Sequence, residues 1–102
     1  MKLVYQHNLL NKVSYKKIDC FLTELQKRYS DKISSPKSHW NSDYTQMDFS
    51  VGIMGFSTQG KIYLKEDKII LELELPFVLS VFSKKIKEMI KQQFEALLST
   101  SN

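Results

Sequence analysis

The chain has 102 residues, 42% apolar and 25% charged, a size and balance that suit one globular domain and exclude a disordered chain. Its single cysteine, Cys20, excludes an intrachain disulfide, and no run approaches the ~18 consecutive apolar residues of a membrane span. The formal charge of +4 is spread over both halves, too small and too diffuse to specify a polyanionic partner.

Residues 2–7 read as a short first strand, with Leu3 and Tyr5 on one side and Val4 on the other. This opening lacks the apolar core and small-residue cleavage site of a secretory leader, so the expected compartment is the cytoplasm. Ser14 is the expected N-cap of a first helix. Ile18, Leu22, Leu25 and Tyr29 then recur at helical spacing, with Phe21 widening the stripe. Within this helix Cys20 is expected to be a buried small hydrophobe. The helix should end by Ile33, because Ser34-Ser35-Pro36 cannot easily continue it.

From Thr45 the period changes to two. Met47, Phe49, Val51 and Ile53 alternate with polar Gln46, Asp48 and Ser50, which marks a strand with one wet face. Phe56, Thr58, Gly60, Ile62 and Leu64 share one side of a second run. Past the polar turn Glu66-Asp67-Lys68, Ile69, Leu71, Leu73 and Leu75 form a third, and short turns make the three an antiparallel meander. Pro76 ends the ladder. A last helix carries Leu79, Phe82, Ile86, Met89, Ile90, Phe94 and Leu97 at i, i+3, i+4 spacing, with Ser80 as its candidate N-cap. The expected fold class is therefore α+β in the order β-α-β-β-β-α. One antiparallel sheet has two amphipathic helices packed on one face. The expected domain covers residues 1–98, with a frayed tail at 99–102.

No catalytic or metal centre is expected, and no cofactor. His7 and His39 lack further ligands at metal-binding spacing, and Cys20 has no evident histidine partner. Asp48, Glu72 and Glu74 fall on the polar phase of their strands, and with Asp43 they read as solvated carboxylates rather than a desolvated acid–base pair. Gly52, Gly55 and Gly60 have neither Walker nor dinucleotide spacing and suit turns and strand bends. Trp40 follows a polar, helix-breaking segment. Its indole either closes one end of the core or contacts a ligand or partner. Lys84, Lys85, Lys87 and Lys91 make the last helix basic around its apolar stripe. The ordinary reading is a solvated face; the alternative is an interfacial helix, which would first have to leave the sheet.

Three blocks are similar to the polyhydroxyalkanoic acid system family, short bacterial proteins whose genes lie in polyhydroxyalkanoate granule regions. Trp40 through Phe49 resembles its W-x-x-(D/N) motif and following strand. Gly55-Phe56-Ser57-Thr58-Gln59-Gly60-Lys61-Ile62 resembles its G-F-S-x-x-G-x-I pattern. Leu75-Pro76-Phe77 with Phe82, Ile86 and Ile90 resembles its run into a terminal helix. The likeness spans nearly the whole chain in order. One departure is that the family tends to have Gly and Glu near Ile86, where this chain has Lys84 and Lys87. The resemblance implies a storage-granule context and supplies no catalytic residues.

Three functions are weighed. The first is a non-enzymatic accessory protein, acting at the granule surface or on a granule-associated protein. The second is a binding domain for a small apolar ligand, held between sheet and helices near Trp40, Phe56 and Phe82. The third is a weak nucleic-acid binder, because α-β-β-β-α echoes the double-stranded RNA-binding domain; its stacking aromatics and basic loop are missing, so nucleic acid ranks last. A homodimer is compatible with a chain of this size.

Overall fold

The computed structural model describes residues 1–7 and 15–99. The two-residue alternation of residues 46–74 places its apolar phase under the helices and its polar phase in water. Strand β1 (Lys2–Gln6) is followed by helices α1 (Tyr15–Asp19) and α2 (Phe21–Arg28) and strands β2 (Ile33–Trp40), β3 (Gln46–Ile53), β4 (Phe56–Leu64) and β5 (Lys68–Glu74). A 3₁₀ segment (Phe77–Phe82) then leads directly into helix α3 (Ser83–Ser99). The strands form one sheet in the order β1-β5-β4-β3-β2, with every neighbour antiparallel. The α+β class and the layer of helices on one apolar sheet face stand as the periodicity predicts. Ser14, the expected N-cap, and residues 100–102 of the expected tail lie outside the described residues.

Four local expectations are corrected. A fifth strand, β2, occupies a stretch read as irregular. It is an edge strand whose centre is solvent-exposed, so it shows no apolar alternation. Its register shifts between Ser34 and Lys37, around Ser35 at φ 48° and Pro36. A bulge and a proline on an edge strand block pairing with another chain.

The first helix is broken at Cys20 and ends at Arg28, so Ile33 belongs to β2. Cys20 is exposed rather than buried, because it lies two residues past buried Ile18, half a turn away from the stripe. Its thiol should therefore react with Ellman's reagent in the native protein nearly as fast as in urea; protection of more than about tenfold would contradict this placement. Ser80, finally, lies inside the 3₁₀ segment, where its hydroxyl donates to the Phe77 carbonyl at 2.7 Å instead of capping α3.

The core is continuous. Met47, Phe49, Val51, Ile53, Ile62, Leu64, Ile69, Leu71 and Leu73 come from the sheet. Ile18, Phe21, Leu22, Leu25, Ile86, Met89, Ile90 and Phe94 come from the helices. Phe94 is 0% exposed. Its ring stacks on Phe21 at 4.5 Å and meets Tyr5 at 5.6 Å, joining α3 to both α2 and β1. The buried Thr58 hydroxyl donates across the hairpin to the Val51 carbonyl at 2.8 Å.

Two glycines shape the meander. Ile53 pairs with Phe56, leaving the two-residue turn Met54-Gly55 with φ of 51° and 86°. Both residues are left-handed, the geometry that matches strand twist in a tight hairpin. Gly60 pairs with Phe49, and a Cβ there would lie 2.5 Å from both the Glu72 carbonyl oxygen and Phe49 Cζ. The carbonyl belongs to the neighbouring ladder and cannot swing aside. Gly60→Ala should therefore cost about 1–3 kcal/mol in urea unfolding, as overpacking does; an unchanged midpoint would mean that the strands separate freely there.

Candidate functional site

Three surfaces carry the residues singled out in the sequence. The first is the open face of the sheet. Its register places Lys2 opposite Glu72, Glu72 opposite Lys61, Lys61 opposite Asp48 and Asp48 opposite His39. This row alternates in sign across four strands, from Lys2 through Glu72 and Lys61 to Asp48, and ends at His39 on the edge strand. Asp48 also accepts from Gln46 Nε2 at 2.9 Å, and Glu72 from the Tyr63 hydroxyl at 3.3 Å. A shallow depression of about 830 Å³ runs along this row and the adjoining Glu74, Gln59, Ser50 and Lys37. It is open to solvent and balanced in charge, so it offers a polyanion no field of one sign. Asp48 and Glu72 face bases across the ladder and Glu74 faces Gln59, so none of the three faces another carboxylate, and Asp43 accepts from the Thr45 hydroxyl at 3.0 Å in the loop outside the sheet.

The second surface is the Trp40 end of the sheet. Trp40 Nε1 donates to Asp19 Oδ1 at 2.9 Å, tying β2 to α1. Its ring meets Tyr15 edge-on at 5.6 Å, and Tyr15 stacks on Tyr44 at 4.2 Å. The indole packs partly buried against the core. His39 is exposed on the strand beside it, while His7 is buried and its ring nitrogens have no hydrogen-bond partner among the described residues. Among the described residues no group of three or more His, Cys, Asp or Glu side chains is placed to hold a metal ion.

Phe56 and Phe82 are not brought together with Trp40. Trp40 pairs with Met47, whereas Phe56 pairs with Ile53 six residues further along β3, a separation of about 20 Å at strand rise. The void between sheet and helices, lined by Phe21, Leu25, Phe49, Leu71, Ile86 and Ile90 among others, is about 20 Å³, room for roughly one water.

The third surface is the other end of the sheet, where Phe56 is 41% exposed. The chain leaves β5 towards this end, and Pro76 stops the ladder there. The six residues after it hold four exposed apolar side chains: Phe77 is 94% exposed, Val78 52%, Val81 80% and Phe82 43%. Leu79 alone is buried, anchoring the segment in the core. Hydrogen bonds hold it from the Leu79 N–H to the Pro76 carbonyl at 2.9 Å, from the Ser80 hydroxyl to the Phe77 carbonyl at 2.7 Å and from the Ser83 N–H to the Ser80 carbonyl.

Beyond it, Lys84, Lys85, Lys87 and Lys91 are all exposed on α3. Spacing puts Lys84, Lys87 and Lys91 on one face, with Glu88 and Glu95 beside them. Lys85 is directed elsewhere. Asp31 is held below the ordinary carboxylate range first by the Lys32 side-chain hydrogen bond, then by backbone hydrogen bonding and the Lys32 charge, and Lys85 adds a smaller attraction.

The helical stripe expected from the sequence includes Phe82 and leaves out Phe77, Val78 and Val81. A signal was available: none of these three fits the stripe that begins at Leu79, so three large apolar residues were left without a place in the core.

No helix among the described residues is long and apolar enough to cross a membrane. Compared with known proteins, the chain matches the family model described as putative polyhydroxyalkanoic acid system protein over residues 1–98. No curated protein and no solved structure matches it.

Proposed function

This chain belongs to the putative polyhydroxyalkanoic acid system protein family, and from that premise we propose that it is a non-enzymatic, cytoplasmic accessory protein that docks on the surface of polyhydroxyalkanoate granules. The observation that carries this reading is the exposed apolar segment Phe77–Phe82. A large apolar side chain left in water forgoes roughly 1.5–3 kcal/mol of burial, and several adjoining ones mark a surface that meets an apolar partner. Phe56 adds to the same end of the sheet. A polyester inclusion is such a partner, and the family's granule context supplies it.

The other readings draw less support. Among the described residues the void between sheet and helices is about 20 Å³, too small for an apolar ligand, and Trp40 lies far from Phe56. The alternating charges of the open sheet face do not favour nucleic acid. Purified protein mixed with native granules should sediment with them well above a neutral control protein of similar size. Recovery equal to that control would contradict the proposal.

A further inference from the structure

Resting on the granule-surface reading, we infer that the Phe77–Phe82 segment is a preformed wedge for an anionic lipid surface, with Lys84, Lys87 and Lys91 engaging the headgroups. An amphipathic helix usually meets such a surface with its own apolar face. Here that is excluded, because Ile86, Met89, Ile90 and Phe94 of α3 are buried against the domain. The 3₁₀ segment removes the conflict. It presents Phe77, Val78 and Val81 outward while Leu79, 1% exposed, keeps it pinned to the core. Nothing has to unfold for these side chains to enter an apolar layer.

The charges define the occupant. Val78, Val81 and Lys84 are spaced by three through the continuous 3₁₀–α3 junction, and Lys84, Lys87 and Lys91 continue along one face. The surface thus has an apolar tip and a basic shaft, on whose face Glu88 and Glu95 sit among the three lysines and leave them in excess by one. Lysine stems can lie along an apolar layer while their ammonium groups reach anionic headgroups. A neutral polyester offers the lysines no counter-charge. A symmetric contact with a second copy would bring two basic shafts together.

Vesicle flotation tests this with wild type, F77S/V81S and K84Q/K87Q/K91Q, using phosphatidylglycerol vesicles, phosphatidylcholine vesicles and lipid-free polyester beads. Wild type should float with phosphatidylglycerol vesicles about tenfold better than with phosphatidylcholine. F77S/V81S should lose about a hundredfold or more of that binding while melting as wild type does, since the replaced side chains are exposed. The lysine variant should lose the preference between the two lipids. Equal binding by wild type and F77S/V81S overturns the inference. Wild type that sediments with granules and beads but ignores vesicles also overturns it, and leaves the granule reading intact. Vesicle binding without granule binding sinks the granule reading and leaves the wedge. A dimer abolished by F77S/V81S, in a protein that ignores vesicles, assigns the patch to a second copy and overturns the inference.

Discussion

Phe94→Ala should lower the free energy of unfolding by about 3–5 kcal/mol, the cost of deleting a fully buried aromatic ring and leaving a cavity. The site cannot collapse easily, because Phe94 is held on two sides. Its ring stacks on Phe21 at 4.5 Å and meets Tyr5 at 5.6 Å, so the cavity would open where α2, α3 and β1 converge. Set against the roughly 5–15 kcal/mol that stabilises a typical domain, the loss is large enough to unfold a fraction of the protein at growth temperature. Urea denaturation followed by circular dichroism measures it. Phe94→Leu, which refills much of the space, should recover more than half of the loss. An effect below about 1 kcal/mol for the alanine variant would mean that α3 is not docked through this ring.

F77S/V81S should do the opposite: leave stability alone and remove function. Phe77 is 94% and Val81 80% exposed, so their replacement takes almost nothing from the core. Surface changes of this kind usually stay within about 0.5 kcal/mol, a shift of roughly 4 °C or less in melting temperature for a domain of this size. On a granule, each side chain contributes about 1.5–3 kcal/mol if it is buried there. Losing both should weaken binding by a hundredfold or more, since 1.4 kcal/mol corresponds to a factor of ten. Co-sedimentation with native granules across a concentration series reads this directly. An unchanged binding curve with an unchanged melting temperature would separate the exposed segment from granule docking.

These two residue sets show why the fold was more legible than the site. Alternation at Met47, Phe49, Val51 and Ile53, and again at Ile69, Leu71 and Leu73, reports a sheet with one dry face, because burial imposes the period. The helical stripes at Ile18, Leu22 and Leu25, and at Ile86, Met89, Ile90 and Phe94, are legible for the same reason. Strand β2 was not, because an edge strand takes its backbone hydrogen bonds from β3 and needs no apolar face of its own. Only Ile33, at its start, is buried. The broken first helix was hidden too: Ile18, Phe21 and Leu22 keep helical spacing across Cys20, so the pattern alone cannot register the interruption.

The exposed apolar segment is obscured by continuity. Leu79, Phe82 and Ile86 fit a helical stripe that runs smoothly into α3, so Phe82 reads as part of the apolar face between sheet and helices. The 3₁₀ winding of residues 77–82 rotates side chains by a different angle per residue, so a stripe drawn at the α-helical period misplaces them. The basic face of Lys84, Lys87 and Lys91 was legible as a cluster. Its relation to an apolar tip was not, since that depends on the geometry of the junction. The family likeness, read from Trp40 through Phe49, Gly55 through Ile62, and Leu75-Pro76-Phe77 with Phe82, Ile86 and Ile90, is matched by the family model over residues 1–98.

The account stands on the tip of the 3₁₀ segment being the part of the molecule that enters the granule surface. An environment-sensitive fluorophore placed on Val81→Cys in a Cys20→Ser background tests this most directly, with Gln59→Cys on the open sheet face as the companion site. Addition of native granules should shift the emission of the probe at 81 to the blue and leave that at 59 unchanged. A blue shift at 59 with none at 81 would contradict the account, placing the contact on the opposite side of the domain.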